Sequence, residues 1–464
     1  MIVNRSNLVD HGNAEQRELL LSIVEEALDR VQPDRLIPQH VSIDEGAVTV
    51  DGTAYDLKDV DDVYVFGAGK GSLATVEALT DVLGDLTTRA VAVEKRGQGT
   101  DVPGIDVFES GHPLPDVAGL RASEAVVEML DAAGPDDLVF ACITGGASAQ
   151  LPYPVDWIPF EDLVETNEQL LQSGLPIEAI NTVRKHLSAI KGGRLAGISH
   201  PARTISLIVV DEVGGRPWGP TVPDETTFED AIGVLETRDL WETVPASVRS
   251  HLERGRTDPS LETPGPDEFA TYRTQTVVVA DASDLCEAAR DSARERGVTS
   301  TILSTMIEGE SVDIARAHAA IAKEIARYGR PIEPPCVLVS GGETTVSLGG
   351  TVGRGGPNQE FAVQFALEIE DWPSVAALSI GTDGTDGPTE FAGGLVDHET
   401  VARAESRSVD LAASLRGHDS TTALRGVDDA IRTGGTGTNL MDLRLFAVAQ
   451  SSTEAGSKLG SDEQ

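Results

Sequence analysis

Residues 340–360 read SGGETTVSLGGTVGRGGPNQE, from Ser340 to Glu360. They separate a short apolar run, Cys336-Val337-Leu338-Val339, from a segment in which Phe361, Phe365 and Ile369 recur at helical spacing. Strand, glycine-rich turn and helix, in that order, bring backbone N–H groups and a helix N-terminus to bear on an anion. The same succession appears twice earlier. Val63-Tyr64-Val65-Phe66 runs into Gly67-Ala68-Gly69-Lys70-Gly71-Ser72 and a helical pattern over residues 73–83, and the apolar run 137–143 feeds Thr144-Gly145-Gly146-Ala147-Ser148. Strands that alternate with helices predict an α/β fold with mainly parallel sheets.

The GAGKGS segment is too short between its first glycine and its lysine for a P-loop, and Ser72 stands where a dinucleotide fingerprint needs its last glycine. What remains is the mechanism: glycines let amides approach an anion, and Lys70 adds a mobile positive charge. His112 lies in a loop stiffened by Pro113 and Pro115 and is a further candidate for touching substrate. Residues 178–196 predict one helix that places Ile180, Val183, Leu187 and Ile190 on one face and Arg184, Ser188 and Lys191 on another. With Lys185, His186 and Arg194 nearby, this is the densest basic cluster of an acidic chain, and it reads as an anion-facing helix. The strand at 206–210 delivers Asp211 to a strand end. The loop GTDGTDGP at 381–388 carries Asp383 and Asp386, two carboxylates suited to Mg²⁺ or to orienting hydroxyls. Another glycine loop, Thr433 to Asn439, precedes a closing strand at 443–448.

The chain has 464 residues, more than one core usually serves, so two domains are expected. Their expected limits are 1–255, a charged, proline-containing linker over 256–274, and 275–450, with a disordered tail over 451–464. An amphipathic helix at 15–31 opens the first domain. A formal charge of −40 argues against nucleic-acid or anionic-membrane partners. The dispersed acids, few lysines and 4% aromatics resemble proteins of a high-salt cytoplasm. Cys142, Cys286 and Cys336 lie too far apart for a zinc or disulfide framework and read as core thiols. The N-terminus lacks the regions of a signal peptide, and no apolar run approaches about 18 residues, so a soluble cytoplasmic protein is expected.

Taken in order, GAGKGS, GHPLPD, TGGASA, NTVRKHLSAIKGGRLA, GPTVPD, SGGETTV with GRGGPNQE, GTDGTDGPT and GGTGTNLMDL resemble the glycerate 2-kinase family, the class II glycerate kinases, over about residues 15 to 450. Some members were first described as hydroxypyruvate reductases. The resemblance implies transfer of the ATP γ-phosphoryl group to the 2-hydroxyl of D-glycerate with a divalent metal. It also implies a Rossmann-like N-terminal domain, a smaller α/β C-terminal domain and a cleft between them; a homodimer is the assembly expected. It marks Lys70 and Arg354 as catalytic. Arg184 and Lys185 are implied for the glycerate carboxylate, and Asp211, Asp383 and Asp386 for metal. For substrate or nucleotide it implies Gly67, Gly69, Gly71, Ser72, Gly145, Gly146, Ser148, Thr436 and Asn439, with Glu343, Asn358 and Glu360 as positioning groups rather than bases. An NAD(P)H-dependent hydroxypyruvate reductase is the alternative. One segment departs from the family pattern: Gly215 stands in place of an acid and Trp218 in place of a serine.

Overall fold

The computed structural model describes residues 1–349 and 353–450. Three positions of the glycine-rich stretch, 350–352, and the expected tail, 451–464, lie outside the described residues. The chain divides into two compact units, residues 33–210 with 217–279, and residues 1–32 with 211–216 and 280–464. The units do not part at the expected linker.

In the first unit, strands β1 (Val41–Asp44), β2 (Ala47–Val50) and β3 (Thr53–Asp56) form a small antiparallel sheet. Strands β4 (Val63–Ala68), β5 (Thr87–Lys95), β6 (Ile105–Ser110), β7 (Leu138–Ile143), β8 (Arg203–Val209) and β9 (Thr274–Ala280) form a second sheet in the order β6-β5-β4-β7-β8-β9. All pairings from β6 to β8 are parallel. Every residue of β7 is buried, which is why it reads as an unbroken apolar run. Chain order reverses between β4 and β7, and Ala68 pairs with Ile143 at their C-terminal ends. The two glycine loops therefore leave the sheet side by side, at the position where open α/β sheets gather ligands.

Two expectations change here. Residues 275–280 were expected to open the second domain, but β9 is the edge strand of this first sheet, because a strand's own pattern does not name its partner. The expected linker is structured: helix Ala246–Thr257 runs into a 3-10 turn, Pro259–Leu261, and a short helix, Pro266–Phe269. Leu252 and Val248 pack with Phe228, Leu235, Leu170 and Val183 in a helical layer. Within 256–274 Thr263, Pro264 and Phe269 are buried, and the segment reads as linker because charged residues, prolines and threonines surround them.

In the second unit, β10 (Thr299–Ile307), β11 (Cys336–Gly342), β12 (Val375–Gly381), β13 (Gly393–Asp397), β14 (Ala430–Ile431) and β15 (Asp442–Val448) take the order β10-β11-β15-β12-β13-β14. Only β10 and β11 run parallel; the other four pairings are antiparallel. A parallel return needs a crossover of about a dozen residues, usually a helix. No helix separates β12 from β13, and β15 comes back from the chain's end to lie between β11 and β12. The core on one face holds Phe361, Phe365 and Phe446, with Phe361 and Phe365 stacked at 5.7 Å.

The N-terminal helix, Ala14–Arg30, joins this second unit. Its fully buried Arg17 binds Asp397 at 2.6 Å and Asp429 at 2.8 Å and donates to the Leu8 carbonyl at 3.0 Å. Burial alone would raise the Asp429 carboxyl, but Arg17, His11 and Arg403 hold it below its ordinary range. The three cysteines are buried and unpaired, as expected.

Candidate active site

The parallel-sheet unit concentrates the predicted chemistry at the C-terminal ends of β4, β6 and β7. Gly69 (φ +118°) approaches Thr144 so closely that a Cβ would lie 2.2 Å from its carbonyl oxygen. Lys70 N–H donates to the Gly145 carbonyl at 2.7 Å, and Thr144 N–H to Ala68 at 3.0 Å, so the two loops are stitched together. A Cβ on Gly146 would meet the His112 ring at 3.0 Å and Lys70 Cγ at 3.6 Å. Three loops thus bring Lys70, His112 and Gly146 into one patch.

The amides of the GAGKGS loop are already engaged. Gly69 N–H donates to Gln150 Oε1 at 2.9 Å, and Ser72 N–H to the Gly69 carbonyl at 3.2 Å. The buried Glu94 carboxylate accepts from Gly71 and Leu73, at 3.2 and 3.3 Å, and so caps helix Ser72–Leu83. The Ser72 hydroxyl donates to the Val93 carbonyl at 2.9 Å. Gly67, Gly69, Gly71 and Ser72 therefore shape the turn, and what this loop can offer an anion is the Lys70 side chain.

Beside this patch lies a small pocket whose lining includes Pro115, Ser148, Asn167, Arg184, Ser188 and Lys191. The expected helix over 178–196 breaks: it runs Ile177–His186 and resumes as Arg194–Ser199, after Gly192 and Gly193 at φ +61° and +84°. Arg184 is buried and donates through Nε to Asn167 at 2.7 Å, and burial lowers its guanidinium to about 10. Lys191 donates to the Leu151 carbonyl at 3.0 Å. Burial, then the charge of Arg184, lowers its ammonium to about 7. Lys185 is not in this pocket. Neighbours in a helix point about 100° apart, and Lys185 instead pairs with Asp224 at 2.6 Å.

In the mixed-sheet unit, the C-terminal ends of β11 and β12 flank the start of β15, where Gly342 and Gly381 both pair with Asp442. Asp386 is buried here and accepts from Asn358 N–H and Gln359 N–H at 3.0 and 2.9 Å, and from both side-chain amides, at 3.1 and 3.0 Å. It caps helix Pro357–Ile369. Burial, then Asp442, pushes its carboxyl up to about 7 against these N–H donors. Asn358 also donates to Asp442 at 2.6 Å, and Arg444 bridges Asp442 and Thr344 at 2.6 and 2.8 Å. Both oxygens of Asp386 are thus occupied at a helix end. Among the described residues no three His, Cys, Asp or Glu side chains form a metal-binding group, so Asp211, Asp383 and Asp386 do not converge. Asp386→Ala is expected to cost about 2–4 kcal/mol, because it strands two helix amides and two side-chain amides; denaturant unfolding measures this.

The remaining candidates are positioned as follows. Arg354 is exposed; its N–H donates to Asp419 at 3.1 Å and its carbonyl accepts from Thr421 at 2.9 Å. Glu343 is exposed and Glu360 buried against His418 at 2.8 Å. Thr436 is buried and donates to the Thr382 carbonyl. Asn439 donates to Asp211 at 3.1 Å, and Asp383 accepts from Thr385 N–H at 2.8 Å. At Gly215 (φ +67°) a Cβ would lie 2.7 Å from an Asp281 carboxylate oxygen, so an acid there would meet both backbone strain and like charge. Trp218 packs onto the core of the parallel sheet. The residues that sequence reasoning did not name for the site are Asn167, Arg444 and His418, which no local motif marks, Asp442, which stands in the GGTGTNLMDL motif, and Lys191, which helical spacing linked to Arg184.

Two family models match the chain: a domain of unknown function, DUF4147, over residues 19–253, and the MOFRL family over residues 336–442. A protein from Pyrococcus horikoshii named glycerate 2-kinase is 40% identical, over 93% of this chain and 97% of its own length. An Agrobacterium vitis protein provisionally named a hydroxypyruvate reductase is 38% identical, over 83% of this chain and 86% of its own. The crystal structure of glycerate kinase from Thermotoga maritima superposes with a TM-score of 0.79 at 32% identity, covering 93% of this chain and 99% of that one.

Proposed function

The chain belongs to the glycerate 2-kinase family, and from that premise we propose that it transfers the γ-phosphoryl group of ATP to the 2-hydroxyl of D-glycerate, releasing 2-phosphoglycerate and ADP. The observation that supports this reading best is the convergence of Lys70, His112 and the Arg184–Lys191 pocket at the reversal point of the parallel sheet. Phosphoryl transfer asks the protein for little covalent chemistry. It asks for positive charge on the moving oxygens and a nucleophile held in line. Lys70 and Arg354 supply the charge in this reading.

ATP serves as co-substrate. Mg²⁺ usually takes one or two protein carboxylates and completes its shell with phosphates and water, and bound there it neutralises phosphate charge. Asp211 and Asp383 fit that limited demand and Asp386 does not. No described helix is long and apolar enough to cross a membrane. The acidic surface suits assays at high salt, and we place the enzyme in a cytoplasm of that kind, with a homodimer as its assembly.

The strand order β6-β5-β4-β7-β8-β9 also suits a dinucleotide, and it is the observation that favours a reductase. Against it, the amides that would hold a pyrophosphate are spent on Gln150, Gly145 and Glu94. A coupled assay separates the two. We expect glycerate-dependent ADP release from Mg-ATP, abolished by EDTA, with phosphorus NMR identifying the 2-phosphate. NADH oxidation with hydroxypyruvate in the absence of ATP would overturn the kinase.

A further inference from the structure

The structure assigns the reading of the substrate's carboxylate to Arg184 and Lys191, with Lys185 outside the recognition site, an assignment that rests on the phosphotransfer reading above. Among the described residues, the buried arginines are Arg17, Arg184 and Arg444. Arg17 and Arg444 pair with carboxylates at 2.6 Å. Among the described residues Arg184 has the Asn167 amide and no carboxylate within 4.0 Å, and Lys191 has the Leu151 carbonyl and none either. A chain with 76 acidic residues has left its two pocket cations without one. Like charges facing each other in a largely desolvated pocket cost free energy, which an anion between them offsets, as does release of the Lys191 proton.

The pocket selects the class of that anion. It is narrow, it carries the Ser148 hydroxyl at its wall, and it adjoins the Gly146 loop that meets Lys70. A single carboxylate of a small hydroxy acid suits it, with the neighbouring hydroxyl directed toward Lys70. The Asn167 carbonyl oxygen fixes the Arg184 fork, and Asn167 is itself held by donation to the Leu163 carbonyl at 2.8 Å.

Protonation adds a distinctive signature. Arg184 and Tyr153 are the other titratable side chains lining the pocket. Lys191 loses its charge near pH 7 in the free enzyme, so acid binding weakens above that value while the bound form keeps its proton.

The test measures the D-glycerate KM and the thermal shift produced by D-glycerate, D-lactate and glycerol, in wild type and in Lys191→Met, Lys191→Arg and Lys185→Met. In Lys191→Met, which retains the fold by replacing a buried charge with an apolar chain of similar length, the KM is expected to rise about 10- to 100-fold. The shifts with both acids should vanish in that variant, and glycerol should give none in either protein. Wild-type KM should climb by up to about tenfold per unit above pH 7, and Lys191→Arg should flatten that profile. Lys185→Met should lower thermal stability and change KM by less than about twofold. An unchanged KM in Lys191→Met with turnover intact overturns the assignment and leaves the kinase standing, as does a rise confined to the ATP KM. Acid-dependent shifts lost in Lys191→Met, in a protein without ATP turnover, would sink the kinase and leave the pocket.

Discussion

Lys70→Ala lowers kcat by about 10³-fold or more with little change in unfolding midpoint, and Arg354→Ala does the same. The loss of kcat rests on the proposed phosphotransfer, and the placement of each residue explains why the fold should be spared. Lys70 has its backbone fixed by Gly145 and its side chain beside His112 and Gly146, so truncation removes charge without disturbing the turn. Arg354 has its backbone fixed by Asp419 and Thr421 while its side chain is exposed, so nothing in the core depends on the guanidinium. A charge that acts mainly on the transition state changes kcat more than KM. Steady-state kinetics at saturating Mg-ATP decide the matter: activity within tenfold of wild type in either variant removes that residue from the chemistry.

The second large effect concerns stability. Arg17→Met should destabilise the mixed-sheet unit by about 3–5 kcal/mol, since it leaves Asp397 and Asp429 buried with their main cation gone. Arg403 still reaches Asp429 at 2.8 Å, but Asp397 keeps only N–H donors such as Asn13 at 2.8 Å. The pH sign follows from Asp429, whose carboxyl is depressed in the folded state. Its contribution is present above the ordinary carboxylate range of about 4 and is lost as pH falls through the lowered value. Acid unfolding of wild type should accordingly begin below about pH 4. Lys191 gives a slope of the same sign at higher pH: the unfolded chain holds a proton that the folded chain releases between about 7 and its ordinary value, so stability again rises with pH through that window. Denaturant titrations of wild type and Arg17→Met across pH 3–9 test both slopes, and a midpoint unchanged by Arg17→Met refutes the first.

Much of the parallel-sheet unit was legible because buried strands read as apolar runs and glycine marks their ends: β4, β7 and β8 fall where Val63-Tyr64-Val65-Phe66, DLVFACI and SLIVV stand. Strand direction in the mixed sheet was not legible, because β15 takes its place between β11 and β12 from far along the chain. Local sequence likewise hides which way a side chain turns. Asp383 and Asp386 look alike in GTDGTDGP, yet Asp386 turns inward to a helix end whose need for a cap lies in another segment. Arg184 and Lys191 were linked by helical spacing even though the helix itself breaks before Lys191, and Lys185, which the resemblance set beside Arg184, pairs with Asp224.

The buried Arg17 also sets a timetable for synthesis. Its bond to Asp397 joins residues 380 positions apart, so the first helix leaves the ribosome long before its partner exists. At about 5–20 residues per second that interval lasts roughly 20–80 s, during which the apolar side of Ala14–Arg30, with Leu20, Leu21, Ile23 and Val24, has no sheet to cover it. The nascent chain therefore needs a holding partner, or a transient internal one, through most of its translation.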